Sequence, residues 1–176
     1  MLTVWTIGHS ARTLGEFFEL LTANGIEAVA DVRRYAASRK HPHFNRDALR
    51  NALSGIGVGY APMPELGGRR RPRPDSQNTV WRSESFRGYA DYMETEEFRA
   101  GIERLMELAR RHRTVIMCAE AVWWRCHRSL IADYLKAGGV CVRHIISGKR
   151  NEIHPYTSAA RLKNGRLSYR RANEST

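Results

Sequence analysis

The sequence predicts an α/β fold, a Rossmann-like three-layer sandwich around a mostly parallel sheet. Two observations carry that expectation. Short apolar runs rich in β-branched residues alternate with segments whose apolar residues recur at helical spacing, from residue 2 to residue 146. Strands separated by helices pair in parallel, and a parallel sheet must be covered on both faces.

The elements follow in order. "LTVWTI" (2–7) reads as a buried strand stopped by Gly8. "TLGE" (13–16) has capping-box spacing, and Leu14, Phe17, Phe18 and Leu21 then share one helical face until Asn24-Gly25. "IEAVADV" (26–32) is a second strand, "NRDALRNALSG" (45–55) a second helix and "VGYAPM" (58–63) a third, extended segment. Residues 62–82 hold Pro, Gly and Arg without a period, so a long, mobile basic loop is expected there. "SFRGYADYM" (85–93) reads as helical, and Thr95 caps a longer helix with Phe98, Ile102, Leu105, Met106 and Ala109 inward. "TVIMC" (114–118) is a clear buried strand. A helix from about Arg125 to Ala137 points Leu130, Ile131, Tyr134 and Leu135 inward and stops at Gly138-Gly139. "VCVRHII" (140–146) is the last core strand, and "GRLSYR" (165–170) adds an edge strand. With no repeat and no break in the pattern, residues 1–176 read as a single α/β domain.

Composition narrows the class. An apolar fraction of 42% with 27% charged residues is ordinary for a soluble globular chain. "MLTVWTIGHS" lacks a basic lead before a long apolar run, and no stretch approaches the roughly 18 apolar residues of a membrane span. Three cysteines at unpatterned spacings, Cys118, Cys126 and Cys141, argue against a secreted disulfide scaffold. The expectation is a cytoplasmic protein with no membrane contact. The net charge of +11 goes beyond what solubility needs and is clustered: at 33–50, in "GGRRRPRP" (67–74), and in a basic tail over about 147–176. Such a field favours a nucleic acid or nucleotide as partner, against the plainer reading of a generally basic, well-solvated surface.

"MCAEAVWWRCHR" (117–128) packs two of the three cysteines, a glutamate, a histidine, two tryptophans and two arginines into one short stretch. Ligands of parallel sheets bind outside the strand carboxyl ends, and three polar clusters directly follow expected strands: Gly8-His9-Ser10, Asp31-Val32-Arg33 and Cys118-Ala119-Glu120. Cys126 and His127 are expected in the first helical turn after them, where main-chain N–H groups favour an anion and lower a thiol's pKa. The candidate catalytic residues are Glu120, Cys118, Cys126, His127, His9 and Asp31. Candidate substrate contacts are Ser10, Arg33, Arg128, Trp124, Arg69 and Arg70, with Arg33 and Arg128 gripping phosphate and a tryptophan stacking a base. Each has a plainer alternative: Cys118 as core, Asp31 and Arg33 as a structural ion pair, the tryptophans as packing anchors. Cys141, mid-strand, is assigned to the core.

Familiar motifs are missing. There is no CxxC knuckle, Walker loop or GxGxxG. Cys118 and Arg125 are separated by one residue too many for a cysteine-phosphatase loop. A zinc or iron ion held by Cys118, Cys126 and His127 stays open as a site assembled by the fold.

In combination, "TIGHS" (6–10), "DVR" (31–33), "PHF" (42–44), "ELGG" (65–68), "FRGYADYM" (86–93), "MCAE" (117–120), "CHRSLIADYL" (126–135) and "VRHI" (142–145) resemble the family called domain of unknown function 488. One departure is Ala36-Ala37, where that family usually shows a proline. The resemblance implies an α/β fold and a shared site at these motifs, and no established activity. The leading expectation is an enzyme, a hydrolase or lyase, acting on a nucleotide or nucleic acid with Glu120 as acid or base. The alternatives are a non-catalytic nucleic-acid-binding module, and a metal- or thiol-dependent enzyme on a small acidic substrate.

Overall fold

The structure, a computed structural model, describes residues 1–171, so the end of the basic tail at 172–176 lies outside the described residues. Its main sheet has six strands: β1 (Thr3–Gly8), β2 (Ala28–Asp31), β3 (Gly59–Pro62), β4 (Thr114–Cys118), β5 (Cys141–Ser147) and β6 (Arg150–Ile153). They lie in the order β3-β2-β4-β1-β5-β6. β1 to β5 pair in parallel, and β6 returns antiparallel along β5.

Helices α1 (Leu14–Ala23), α2 (Arg46–Gly55), α3 (Glu84–Tyr92), α4 (Glu96–Arg111) and α5 (Arg128–Ala137) cover the sheet. Side chains alternate along a strand, so neighbours in sequence join opposite cores. Trp5, Val29 and Val115 pack with Phe17 and Leu21 of α1 and Leu49 and Leu53 of α2. Val4, Ala30 and Ile116 pack with Tyr89 of α3, Phe98 and Leu105 of α4, and Leu130 and Ile131 of α5. A mixed α/β architecture with a mostly parallel sheet results. The helix starts follow their caps. Thr13 Oγ1 accepts from Glu16 N (3.1 Å) while Glu16 Oε1 accepts from Thr13 N (3.0 Å), and Thr95 Oγ1 accepts from Phe98 N (3.3 Å). No helix among the described residues is long and apolar enough to cross a membrane.

Two local expectations are corrected. α5 begins at Arg128, not Arg125: residues 123–125 form a separate 3-10 turn, and Cys126 is extended (φ −139°, ψ 174°). "GRLSYR" does not edge the main sheet. Its strand β8 (Arg166–Ser168) folds onto β7 (Arg161–Lys163) as a separate hairpin. Asn164 (φ 53°) and Gly165 (φ 78°) make the left-handed turn that such a hairpin needs. The edge strand beside β5 is β6, whose "RNEI" has no apolar face to betray it. The long basic loop is present as expected over most of 67–82, and its middle is tied to α3. Asp91 of α3 accepts from Arg73 N (2.8 Å), Ser76 Oγ (2.7 Å) and Asn78 Nδ2 (2.7 Å).

Candidate functional site

The parallel register sets Gly8 beside Cys118 and Asp31 beside Met117, so three strand ends finish level. The ladder then continues into the loops: His9 N donates to Cys118 O (2.9 Å) and Ser10 N to Ala119 O (3.0 Å). This pairing draws the 118–120 loop over Gly8, where a β-carbon would stand 1.8 Å from the Glu120 carbonyl oxygen. Glycine is required by that crossing alone. A cavity of about 650 Å³ opens above, and His9, Ser10, Cys118, Glu120, Cys126 and His127 all reach its wall.

The two sulfurs form its centre. Cys118 Sγ lies 3.1 Å from Cys126 Sγ. Arg128 Nε donates to Cys118 Sγ (3.0 Å) and Cys126 Sγ (3.4 Å), and Arg128 N donates to Cys126 Sγ (3.4 Å). The extended backbone at Cys126 therefore lays its sulfur against the first amide of α5, ahead of the helix. Donation from the Cys118 thiol, helped by the Arg128 charge and amide, pulls the Cys126 thiol down to about 5. Burial pushes the Cys118 thiol well up. The two shifts run in opposite directions, so Cys126 is the sulfur of the pair that ionises first.

Burial disfavours the charged form of His9 and His127 at the cavity wall. Burial lowers His9 to about 4. Its ring stacks on Phe44 (4.4 Å between centroids), with Nδ1 bonded to Ser10 O (2.9 Å) and Nε2 facing Arg33 Nη1 (3.4 Å). Burial also lowers His127. Its Nε2–H donates to Val32 O (2.8 Å), which leaves Nδ1 as a lone pair beside Gly68. Glu120 is half-buried, and no hydrogen bond or ion pair among the described residues engages its carboxylate.

Asp31 and Arg33 do not offer themselves to a substrate. Arg33 Nε and Nη2 clamp Asp31 at 2.8 and 2.6 Å, Arg33 N adds a bond of 3.1 Å, and Tyr60 Oη donates at 2.5 Å. Burial beside that carboxylate pushes the Tyr60 hydroxyl up to about 12. With all these donors on it, Asp31 orders the β2 loop and is no acid or base for the cavity. Arg33, which does reach the cavity wall, has its fork committed to Asp31.

Arg128 is likewise not a phosphate grip, because it is 1% exposed and fully committed. Besides the sulfurs, Nη1 donates to Thr6 Oγ1 (3.0 Å) and Nη2 to the carbonyls of Glu120 (2.7 Å) and Ala121 (3.3 Å). Behind it runs a buried chain that sequence reasoning missed. Thr6 Oγ1 meets His144 Nδ1 (2.6 Å), His144 Nε2 meets His154 Nδ1 (2.8 Å), and His154 Nε2 meets Asp133 Oδ1 (2.8 Å). A donating guanidinium at one end and an accepting carboxylate at the other fix every tautomer between them. Burial drives His144 down to about 2, and the Trp123 ring stacks flat on it (4.4 Å, 4°). The one sequence signal was the burial of His144 and Asp133 at positions where the strand and helix periods face the core.

The expected metal set does not form. His127 is turned to Val32 O, and the cation beside both sulfurs is Arg128 itself. Among the described residues no group of three or more His, Cys, Asp and Glu side chains is placed to hold an ion. Trp124 is 54% exposed, off the cavity wall, and among the described residues its ring meets only Trp123 edge-on, so it is no platform inside the site. Arg70 lies over the Tyr92 ring (3.7 Å), outside the main cavity. Besides Arg33, whose fork is held by Asp31, the cations at the cavity wall are Arg34, Arg69 and Arg125. Arg34 Nη1 donates to Arg69 O (2.7 Å), and both guanidinium groups flank Tyr35.

The family model described as Domain of unknown function DUF488 matches residues 13–135, most of the chain, and the chain belongs to that family. Cys118, Glu120, Cys126, His127 and Arg128 fall within the match; His9 and His144 do not. No curated protein and no solved structure gives a significant match.

Proposed function

We propose that this member of the DUF488 family is an enzyme, a hydrolase or lyase, whose Cys126 thiolate attacks a phosphate-bearing substrate, a nucleotide or the end of a nucleic acid. The observation that carries the reading is the Cys126 sulfur set against Cys118 Sγ and the Nε and main-chain N–H of Arg128, on the wall of a cavity edged by Arg34, Arg69 and Arg125. A low-pKa thiolate is the nucleophilic form, and about 650 Å³ suits a nucleotide-sized ligand. Glu120, with its carboxylate unengaged, serves as acid or base for the leaving group or water. We read the layering as a Rossmann-like sandwich, in which this edge is the expected place for a ligand. Free thiols at Cys118, Cys126 and Cys141 suit a reducing, cytoplasmic setting.

The test is protection of Cys126 from alkylation. Nucleoside phosphates are expected to slow it, the bare nucleoside is not, and added salt should weaken the effect. No protection by any phosphate-bearing compound would overturn the reading. With a substrate in hand, Glu120→Gln should keep binding and lose turnover. A second reading, a nucleic-acid-binding module without chemistry, is supported by a hollow of about 490 Å³ lined by Arg34, Arg69, Arg70, Arg71 and Arg73, which continues from the cavity through Arg34 and Arg69. It expects steeply salt-dependent binding that survives Cys126→Ala and Glu120→Gln unchanged.

A further inference from the structure

A nucleophilic cysteine needs one sulfur, yet this site holds two at 3.1 Å. A disulfide bond is about 2.05 Å long, so closure asks for a movement of about 1 Å. Cys118 is fixed at the end of β4 and is 3% exposed. Cys126 sits in extended backbone after a 3-10 turn, in a loop where Ala119, Ala121, Trp124 and Arg125 face solvent, so the movement falls on the loop rather than the sheet. The cavity thus meets a more exposed, anionic sulfur first and a buried thiol behind it. Those are the places of an attacking and a resolving cysteine.

Arg128 decides the direction of exchange. In the dithiol state its buried guanidinium lies against both sulfurs, where it favours an anion on Cys126, the one that ionises first. Its remaining partners, Thr6 Oγ1 and the carbonyls of Glu120 and Ala121, are neutral. Closing the disulfide removes the anion and leaves a buried cation without an opposite charge in contact, an unfavourable state. The dithiol is the favoured form, and the disulfide is correspondingly oxidising.

We propose that Cys118 and Cys126 form a thiol–disulfide exchange centre with an oxidising disulfide, whose partner is a small thiol or disulfide bearing carboxylates. The carboxylates are inferred from Arg34, Arg69 and Arg125 at the cavity. The inference rests on Cys126 being the nucleophile and not on a phosphate substrate. The steps balance without a further reagent. Cys126 thiolate attacks one sulfur of the partner disulfide, a mixed disulfide forms, and the first partner thiolate leaves. Cys118, losing its proton to solvent, attacks Cys126 Sγ, and the second partner thiolate leaves. The protein dithiol is oxidised, the partner disulfide is reduced to two thiols, and the reverse sequence oxidises thiols.

The test treats reduced protein with oxidised glutathione, which carries carboxylates, and with the neutral bis(2-hydroxyethyl) disulfide, reading products by intact mass and peptide mapping. The expected product has lost two hydrogens and links the Cys118 and Cys126 peptides, with Cys141 still alkylatable. Oxidised glutathione should react about tenfold faster at low salt, the effect of roughly one favourable charge contact. In a glutathione buffer the wild-type equilibrium should favour the dithiol, and Arg128→Gln should move it about tenfold towards the disulfide. A stable glutathione adduct on Cys126 with Cys118 still free would overturn the exchange centre. Equal rates with both disulfides would overturn the carboxylate partner, and an equilibrium favouring the wild-type disulfide would overturn its oxidising character. Cys118→Ser separates the two readings. If its Cys126 still alkylates rapidly at pH 6 while the wild type forms no disulfide, only the exchange centre falls. If Cys126 is inert there, the nucleophile falls too.

Discussion

Alkylation of Cys126 by iodoacetamide between pH 6 and pH 8 tests the site most directly, with Cys118→Ala as the perturbation. Donation from the Cys118 thiol is the largest influence lowering Cys126 to about 5. At that value the thiolate fraction is about 0.9 at pH 6 and close to 1 at pH 8, so the rate should rise only about 1.1-fold. An ordinary cysteine near 8.5 goes from about 0.003 to about 0.24 thiolate over the same interval, roughly a 75-fold rise. Partial burial slows the absolute rate at both pH values and cancels in the ratio. Cys118→Ala removes the S–H donor and should steepen the profile, whereas Cys118→Ser, which keeps an O–H donor, should stay nearly flat. Peptide-resolved mass spectrometry in a Cys141→Ser background supplies both rates. A wild-type rate rising about tenfold per pH unit would refute the thiolate assignment and the role given to Cys118.

Other outcomes follow from the same contacts. His9 and His144 are held neutral by burial, at about 4 and about 2, so the unfolded chain binds protons that the folded one refuses. Stability present above pH 6.5 is therefore lost as pH falls, by about 2 kcal/mol for each histidine at pH 5; urea unfolding at pH 7.5 and pH 5 that gave equal midpoints would contradict this. Asp31→Asn leaves the buried Arg33 fork without its carboxylate and should cost about 3–5 kcal/mol in the same assay, with a loss below about 1 kcal/mol counting against a buried ion pair. Gly8→Ala drives a methyl into the Glu120 carbonyl and should destabilise by about 1–3 kcal/mol or more while disturbing Cys126 reactivity. A thermal midpoint and alkylation profile like those of wild type would show that the loop does not cross there.

How much of this could be read beforehand differs between elements for physical reasons. β4 and the α1 cap were legible because "TVIMC" and "TLGE" carry their whole signal within a few residues. β6 was not, since "RNEI" pairs by main-chain bonds to β5 and buries no apolar face. The α5 start was misplaced because helical spacing continues back through Arg125. The break at Cys126 accompanies a sulfur turned towards a strand end, and that contact does not show in a local pattern.

The cavity followed from one property of the sequence alone: polar clusters placed directly after apolar strands converge whenever those strands run parallel. His9, Ser10, Cys118 and Glu120 were placed at that edge in this way, whereas Cys126 and His127 were expected in a helical turn that the structure moves on to Arg128, and reach the same wall from the loop before it. What each of them faces was decided only by the tertiary structure. Arg128 turns inward to two sulfurs and away from any phosphate, and its fork reaches Thr6 across 122 residues of sequence. From Thr6 the contacts step 138 residues to His144, then through His154 to Asp133. Local sequence fixes backbone periods and so the edge where a site must lie. The protonation and direction of its side chains depend on buried partners that only folding brings into contact.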